Sequence, residues 1–203
     1  MKATVHASRS PWLLALTLLV AIFMIGPVLI SVTAGLTQNY SVGWRSGWTL
    51  RWLGEVWDNY GSTVMASIWI ASAAVAGNIL LGVPCAYALA RSRQRWSAWF
   101  EELLTLPVAV PGLATALALI LAYGQWRDFR QSFSFVLVGH MVFTLPFMVR
   151  TVAAAFRRHE LIALEEAAST LGARFMQRFL GVLVPAVFPA IVSAALMVFT
   201  LSV

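Results

Sequence analysis

Side chains able to do chemistry are sparse in this chain, and those present do not converge. The three histidines, His6, His140 and His159, fall on separate elements, so no metal-ligand or catalytic cluster can be assembled from them. Cys85 is the single cysteine and sits inside an apolar run, which rules out an intramolecular disulfide or a cysteine metal cluster and reads as a buried structural thiol. A phosphate-binding P-loop needs a lysine, and the only lysine is Lys2. The eight acidic residues all lie outside the long apolar runs, so the intramembrane carboxylates of an ion- or proton-coupled carrier are missing. The expectation is a non-enzyme without cofactor or metal.

Polar residues do gather in one place, LEEAASTLGARF, Leu164 to Phe175. Glu160, Glu165 and Glu166 precede Arg174 and Arg178, the order that favours a helix macrodipole. Leu161, Leu164, Ala168, Leu171, Phe175, Phe179 and Val182 recur at steps of three and four. Such a stripe lies against other helices and turns Glu165, Glu166, Ser169 and Thr170 outward. Gly172 is able to take the left-handed conformation that ends one helix and redirects the chain. The expected product is a short helix–glycine–helix hook.

The elements that must position this hook are membrane spans. Of the 203 residues 60% are hydrophobic and 11% charged, against roughly 25% charged in soluble domains. The charge-free runs are Ser10–Trp44, Asn59–Ala90, Leu103–Trp126, Gln131–Val149 and Phe179–Val203, each near the 20 or so residues that cross a bilayer as a helix. The fold class expected is an all-α membrane protein, one domain over residues 1–203. Its spans are at about 12–34, 62–90, 106–123, 133–150 and 184–203, with a polar segment at about 157–181. With the N-terminus cytoplasmic, that side holds Lys2, Arg9, Arg91, Arg93, Arg95, Arg150, Arg157, Arg158, Arg174 and Arg178. The other side holds Arg45, Arg51, Arg127 and Arg130. Ten against four follows the positive-inside rule. The net charge of +6 is therefore mostly topology and not a nucleic-acid surface.

Within the spans, Ala71, Ala73, Ala74, Ala76 and Gly77 mark a close-packing helix. Asn78 and His140 are either hydrogen-bond partners of neighbouring helices or groups on a substrate path. Pro27 should kink or end the first span, and the stretch from Trp44 to Trp52 is either a helix lying on the outer surface, as its spacing suggests, or an irregular loop. Pro107 is expected in the first turn of the third span with Pro111 one turn later, a broken entry that serves as a packing kink or a hinge.

The hook region resembles the cytoplasmic loop of ATP-binding cassette importer permeases: Glu-Ala-Ala, three residues, Gly, nine residues, Ile, one residue, Leu-Pro. Here those positions are Glu166-Ala167-Ala168, Gly172, Val182, Val184 and Pro185. The resemblance implies the type I importer fold, with five spans present and a sixth missing by truncation. It implies a multi-pass permease of the bacterial inner membrane that forms the translocation path. It further implies a separate cytoplasmic ATPase that hydrolyses ATP, a second permease subunit, identical or homologous, and an external substrate-binding protein. Glu165, Glu166, Ala167, Ala168, Gly172 and Pro185 would form the ATPase-coupling set, Glu166 pairing with a basic residue. TLPVAVPG, GHMVFTLPF and LEEAASTLGA resemble the branch serving polyamines, aminophosphonates and ferric iron. The contrasting reading is an ion-coupled secondary transporter, or another polytopic membrane protein without an ATPase partner.

Overall fold

The computed structural model describes residues 11–92, 94–110 and 112–203, with only the backbone of Arg95. Pro111, one of the two hinge prolines, lies outside the described residues, as do Lys2, His6, Arg9 and Arg93. The chain divides into two compact units, Met1–Ser62 and Thr63–Val203, and no strand occurs among the described residues. Four of the helices are long and apolar enough to cross a membrane, and a bent pair makes five.

The first unit holds helix α1, Pro11–Gly35, which is apolar all round and has no buried residue, as expected of a helix solvated by lipid. It runs on past Pro27, so that proline does not end it. Of the two forms open to the tryptophan-rich stretch that follows, it takes the irregular loop and not the surface helix. Gly43 and Gly47 sit at φ 68° and 93°, a left-handed conformation that interrupts any helix there. The chain instead makes a 3₁₀ turn at Gly43–Ser46 and an isolated antiparallel bridge between Thr37 and Trp48. Trp52 Nε1 donates to the Thr37 carbonyl at 2.8 Å, closing the loop. Helix α2, Arg51–Arg91, then begins, with the Arg51 N–H on the Thr49 hydroxyl. Its 41 residues are roughly 60 Å long, twice the hydrocarbon thickness.

In the second unit α2 is followed by α3, Arg95–Ala109, and α4, Gly112–Tyr123. The two are bent by 101° and together have the composition of one span. Pro107 is not in a first turn. It lies in the last turn of α3, because the residues from Arg95 onward, read as a connector, are already helical. Lacking an N–H, it leaves the Leu103 carbonyl without its intrahelical donor, and the helix stops two residues later. A short turn, α5 (Arg127–Arg130), leads to α6, Phe133–Phe156, whose first turn is capped by the Ser132 hydroxyl accepting the Phe135 N–H. Then come α7, His159–Thr170, α8, Phe175–Arg178, a π segment, Phe179–Leu183, and α9, Val184–Ser202.

The core is built where α2, α6 and α9 meet. Ala71, Ala74, Asn78, Gly82, Ala86 and Leu89 are the buried stripe of α2, spaced by three or four so that they fall on one helical face. Small residues matter here because lipid is as apolar as the protein interior, leaving close van der Waals contact as the main attraction. Met148, Val152 and Phe156 of α6 and Leu183, Val187, Ile191, Ala194 and Val198 towards the C-terminus complete it. A polar pin crosses this core: the amide of fully buried Asn78 donates to Thr144 Oγ1 at 2.7 Å, and that hydroxyl donates to the His140 carbonyl at 2.6 Å.

Two glycines of α2 make a graded test of this packing. A Cβ at Gly82 would lie 2.7 Å from Cγ and 3.3 Å from Cβ of the fully buried Met148. A Cβ at Gly77 would meet the terminal methyl of Met141, at 2.5 Å, which can swing away. Gly82→Ala is expected to destabilise the purified protein by about 1–3 kcal/mol, the range for overpacking. Gly77→Ala should leave the melting temperature in detergent nearly unchanged.

Candidate functional site

The polar segment is shaped by local sequence at both ends. α6 ends at Phe156, and Arg158 is extended (φ −64°, ψ 135°), which starts α7 with Glu160 in its first turn, a favourable place for a carboxylate. α7 ends at a Schellman turn. Gly172 has φ +82°, its N–H bonds the Ser169 carbonyl at 3.0 Å, and the Ala173 N–H bonds the Ala168 carbonyl at 3.1 Å. These bonds satisfy two of the last carbonyls of the helix. Nothing stands within 4 Å of a Cβ at Gly172, so conformation alone calls for glycine. The Arg174 N–H is then taken by Gln177 Oε1 at 2.8 Å, which starts α8.

The return into α9 is set by Pro185, which occupies its first turn. Without an N–H, Pro185 cannot bond the Gly181 carbonyl, and its ring crowds that turn. The chain accommodates this as the π segment, with the Val184 N–H reaching back to the Phe179 carbonyl.

One face of the hook is anchored. Leu161, Phe179 and Leu183 are buried, and an aromatic cluster surrounds Tyr87, whose ring centroid lies 5.5 Å from Phe156 and 5.2 Å from Phe179. Glu165 belongs to this face. The Tyr87 hydroxyl donates to Glu165 Oε1 at 2.5 Å, and Arg91 Nε donates to Glu165 Oε2 at 2.7 Å. Arg91 Nη1 also donates to the Phe156 carbonyl at 2.7 Å. A second ion pair, Arg157 to Glu101, ties the end of α6 to α3.

This arrangement corrects the expected orientation of the stripe. Glu165, read as turned outward beside Glu166, is turned inward, with its side chain 15% exposed. Leu164 and Leu171, read as inward, are 43% and 88% exposed. The inward face begins at Leu161, so the next position on it is Glu165, four residues on. The turn at Gly172 then resets the phase, and a single periodicity cannot be carried through it. Glu166, Ala167, Ser169 and Thr170 are exposed, and Ala168 is half-buried. A cleft of about 420 Å³ opens between Glu166, Ser169 and Ile162 on one side and Tyr87, Arg91 and Arg178 on the other.

The remaining site residues do not gather with these. His140 lines a mainly apolar cleft of about 340 Å³ with Gly112, Thr115, Gly139 and Phe143. Asn78 is sealed in the helix interface and does not line that cleft. Sequence reasoning missed Tyr87 and Arg91. The one available signal was that Arg91 is the first charge after a long apolar run and Tyr87 lies one turn before it. Their partner is 74 and 78 positions away, beyond the reach of local patterning.

Comparison with known proteins agrees with this architecture. Residues 78–203 match the family described as binding-protein-dependent transport system inner membrane component. The putrescine transport system permease protein PotI of Escherichia coli K12 is 31% identical over 203 residues, covering 96% of this chain and 72% of that protein. The molybdenum transport system permease protein ModB of Mycobacterium bovis is 27% identical over 173 residues, covering 78% of this chain and 64% of that protein. With four to five apolar spans and a family match over most of its length, the chain belongs to the inner membrane permeases of binding-protein-dependent, ATP-binding cassette importers.

Proposed function

We propose that this permease is moved by a separate cytoplasmic ATPase that grips the exposed face of α7. The observation that carries this reading is the two-sidedness of the segment. Glu166 and Ala167 face out on a rigid helix ended by the Schellman turn at Gly172, while Leu161 and Glu165 hold the opposite face against the core. Glu166 pairs with a basic residue of the ATPase, and Ala167 and Ala168 keep the ridge narrow enough to seat in a groove. Pro185 keeps the return into α9 in register. ATP is hydrolysed on the ATPase. The permease, paired with a second permease subunit, supplies a path that alternates between inward- and outward-facing states.

The orientation that goes with this reading puts the N-terminus and the 157–181 segment in the cytoplasm, in agreement with the ten-to-four distribution of basic residues. Residues 1–203 form one permease domain in it, and the α3–α4 break, with Pro107 and Pro111, absorbs part of the motion. An external binding protein selects the solute. Relatives named for putrescine and for molybdenum transport point to a small polar solute. Binding assays of the partner binding protein with putrescine and molybdate decide between these two.

Two substitutions test docking. Glu166→Lys is expected to abolish co-purification of the cognate ATPase while leaving the permease's melting temperature unchanged, since Glu166 is exposed. Retention of the ATPase would refute the docking role. Gly172→Val forces a β-branched residue to φ +82° and is expected to cost about 1–2 kcal/mol. It should lower both the melting temperature and ATPase capture, whereas Gly172→Asn, which tolerates the left-handed region, should lose less of each.

A further inference from the structure

We infer that Glu165 is a strut rather than a docking residue: with Tyr87 and Arg91 it makes α7 and the Arg91 end of α2 move as one body. The inference rests on the docking reading and assigns positioning roles to three residues behind the docked face.

Three directional bonds meet at one junction. Tyr87 and Arg91 stand one turn apart on α2 and take the two oxygens of a single carboxylate, at 2.5 and 2.7 Å. Holding both oxygens fixes the rotation of the carboxylate as well as its distance. Arg91 then donates to the carbonyl of Phe156, the last residue of α6. That carbonyl is one of those a helix C-terminus leaves without an intrahelical partner. The junction therefore binds the end of α2, the end of α6 and the middle of α7.

The covalent route does not provide this link. α7 joins α6 through Arg157 and Arg158, and joins α8 through the turn at Gly172. Neither connection leads to α2, which lies more than sixty positions earlier in the chain. An apolar side chain at position 165 would pack beside Tyr87 without the desolvation that a half-buried ion pair carries. It would also slide. The carboxylate gives up that advantage for a contact of defined length and direction, which suits a part that must transmit displacement.

The test is a distance within one chain. In a Cys85→Ser background, Trp69→Cys on α2 and Glu160→Cys on α7 are spin-labelled. Labelled chains are diluted with unlabelled ones and assembled with the ATPase in nanodiscs. Trp69 is eighteen residues from Tyr87, roughly 27 Å along the helix, a suitable span for pulsed dipolar measurement. With Glu165 intact the distance should be the same without nucleotide and in the vanadate-trapped ATP state. In Glu165→Ala the ATPase should still co-purify, and the distance should shift and broaden on trapping. Glu165→Gln, whose one carbonyl oxygen still accepts from Arg91 while its NH2 can only donate to the Tyr87 oxygen, should restore part of the invariance, and Tyr87→Phe gives a milder version if Glu165→Ala does not fold. A nucleotide-dependent distance with Glu165 intact overturns the strut. So does an invariant distance in both Glu165→Ala and Tyr87→Phe, or loss of the ATPase from Glu165→Ala. Failure of the docking reading shows separately, as retention of the ATPase by Glu166→Lys.

Discussion

The ion pair between Glu165 and Arg91 joins two parts of the chain that no covalent path brings together. It sits where three helices end or pass, on the side of α7 that faces the core. With Glu165 committed inward, the geometry of an α-helix leaves Glu166 and Ala167 on the outside. The two adjacent glutamates thus have opposite surroundings, one satisfied by Tyr87 and Arg91 and the other open to solvent. A step of one residue, about 100° around the helix, separates a paired carboxylate from an exposed one.

The rest of the second unit supports that junction through packing rather than charge. In lipid, apolar side chains gain little by leaving the solvent, so the α2–α6 contact depends on close approach at small residues. Gly82 against Met148 and Gly77 against Met141 are the two points where a methyl group would not fit without movement. The Asn78–Thr144–His140 chain of hydrogen bonds fixes the register of the same contact. The regular helices are interrupted after Pro107, at the π segment ahead of Pro185, and at Gly172.

Much of this was legible in the sequence, because the strongest signals were those of the solvent. Apolar runs of span length marked helices. Gly172 announced a turn through its own backbone limits. The family resemblance rested on the same few residues. What could not be read was phase and partnership. The periodic stripe through Leu164 and Leu171 looked continuous, yet the turn at Gly172 resets it. Glu165 and Glu166 are the same residue type side by side, and only a tertiary contact distinguishes them. The Trp44–Trp52 stretch is ambiguous for a different reason, since its tryptophan spacing imitates a helix while Gly43 and Gly47 prevent one.

The central claim is that one face of α7 belongs to the ATPase and the opposite face to the permease core. A cryo-EM structure of the assembled permease–ATPase complex with trapped ATP tests it most directly. The account predicts the Glu166 carboxylate on a basic side chain of the ATPase, with Glu165 still held by Tyr87 and Arg91. A map with α7 clear of the ATPase, or with Glu165 turned out to meet it, would contradict the account.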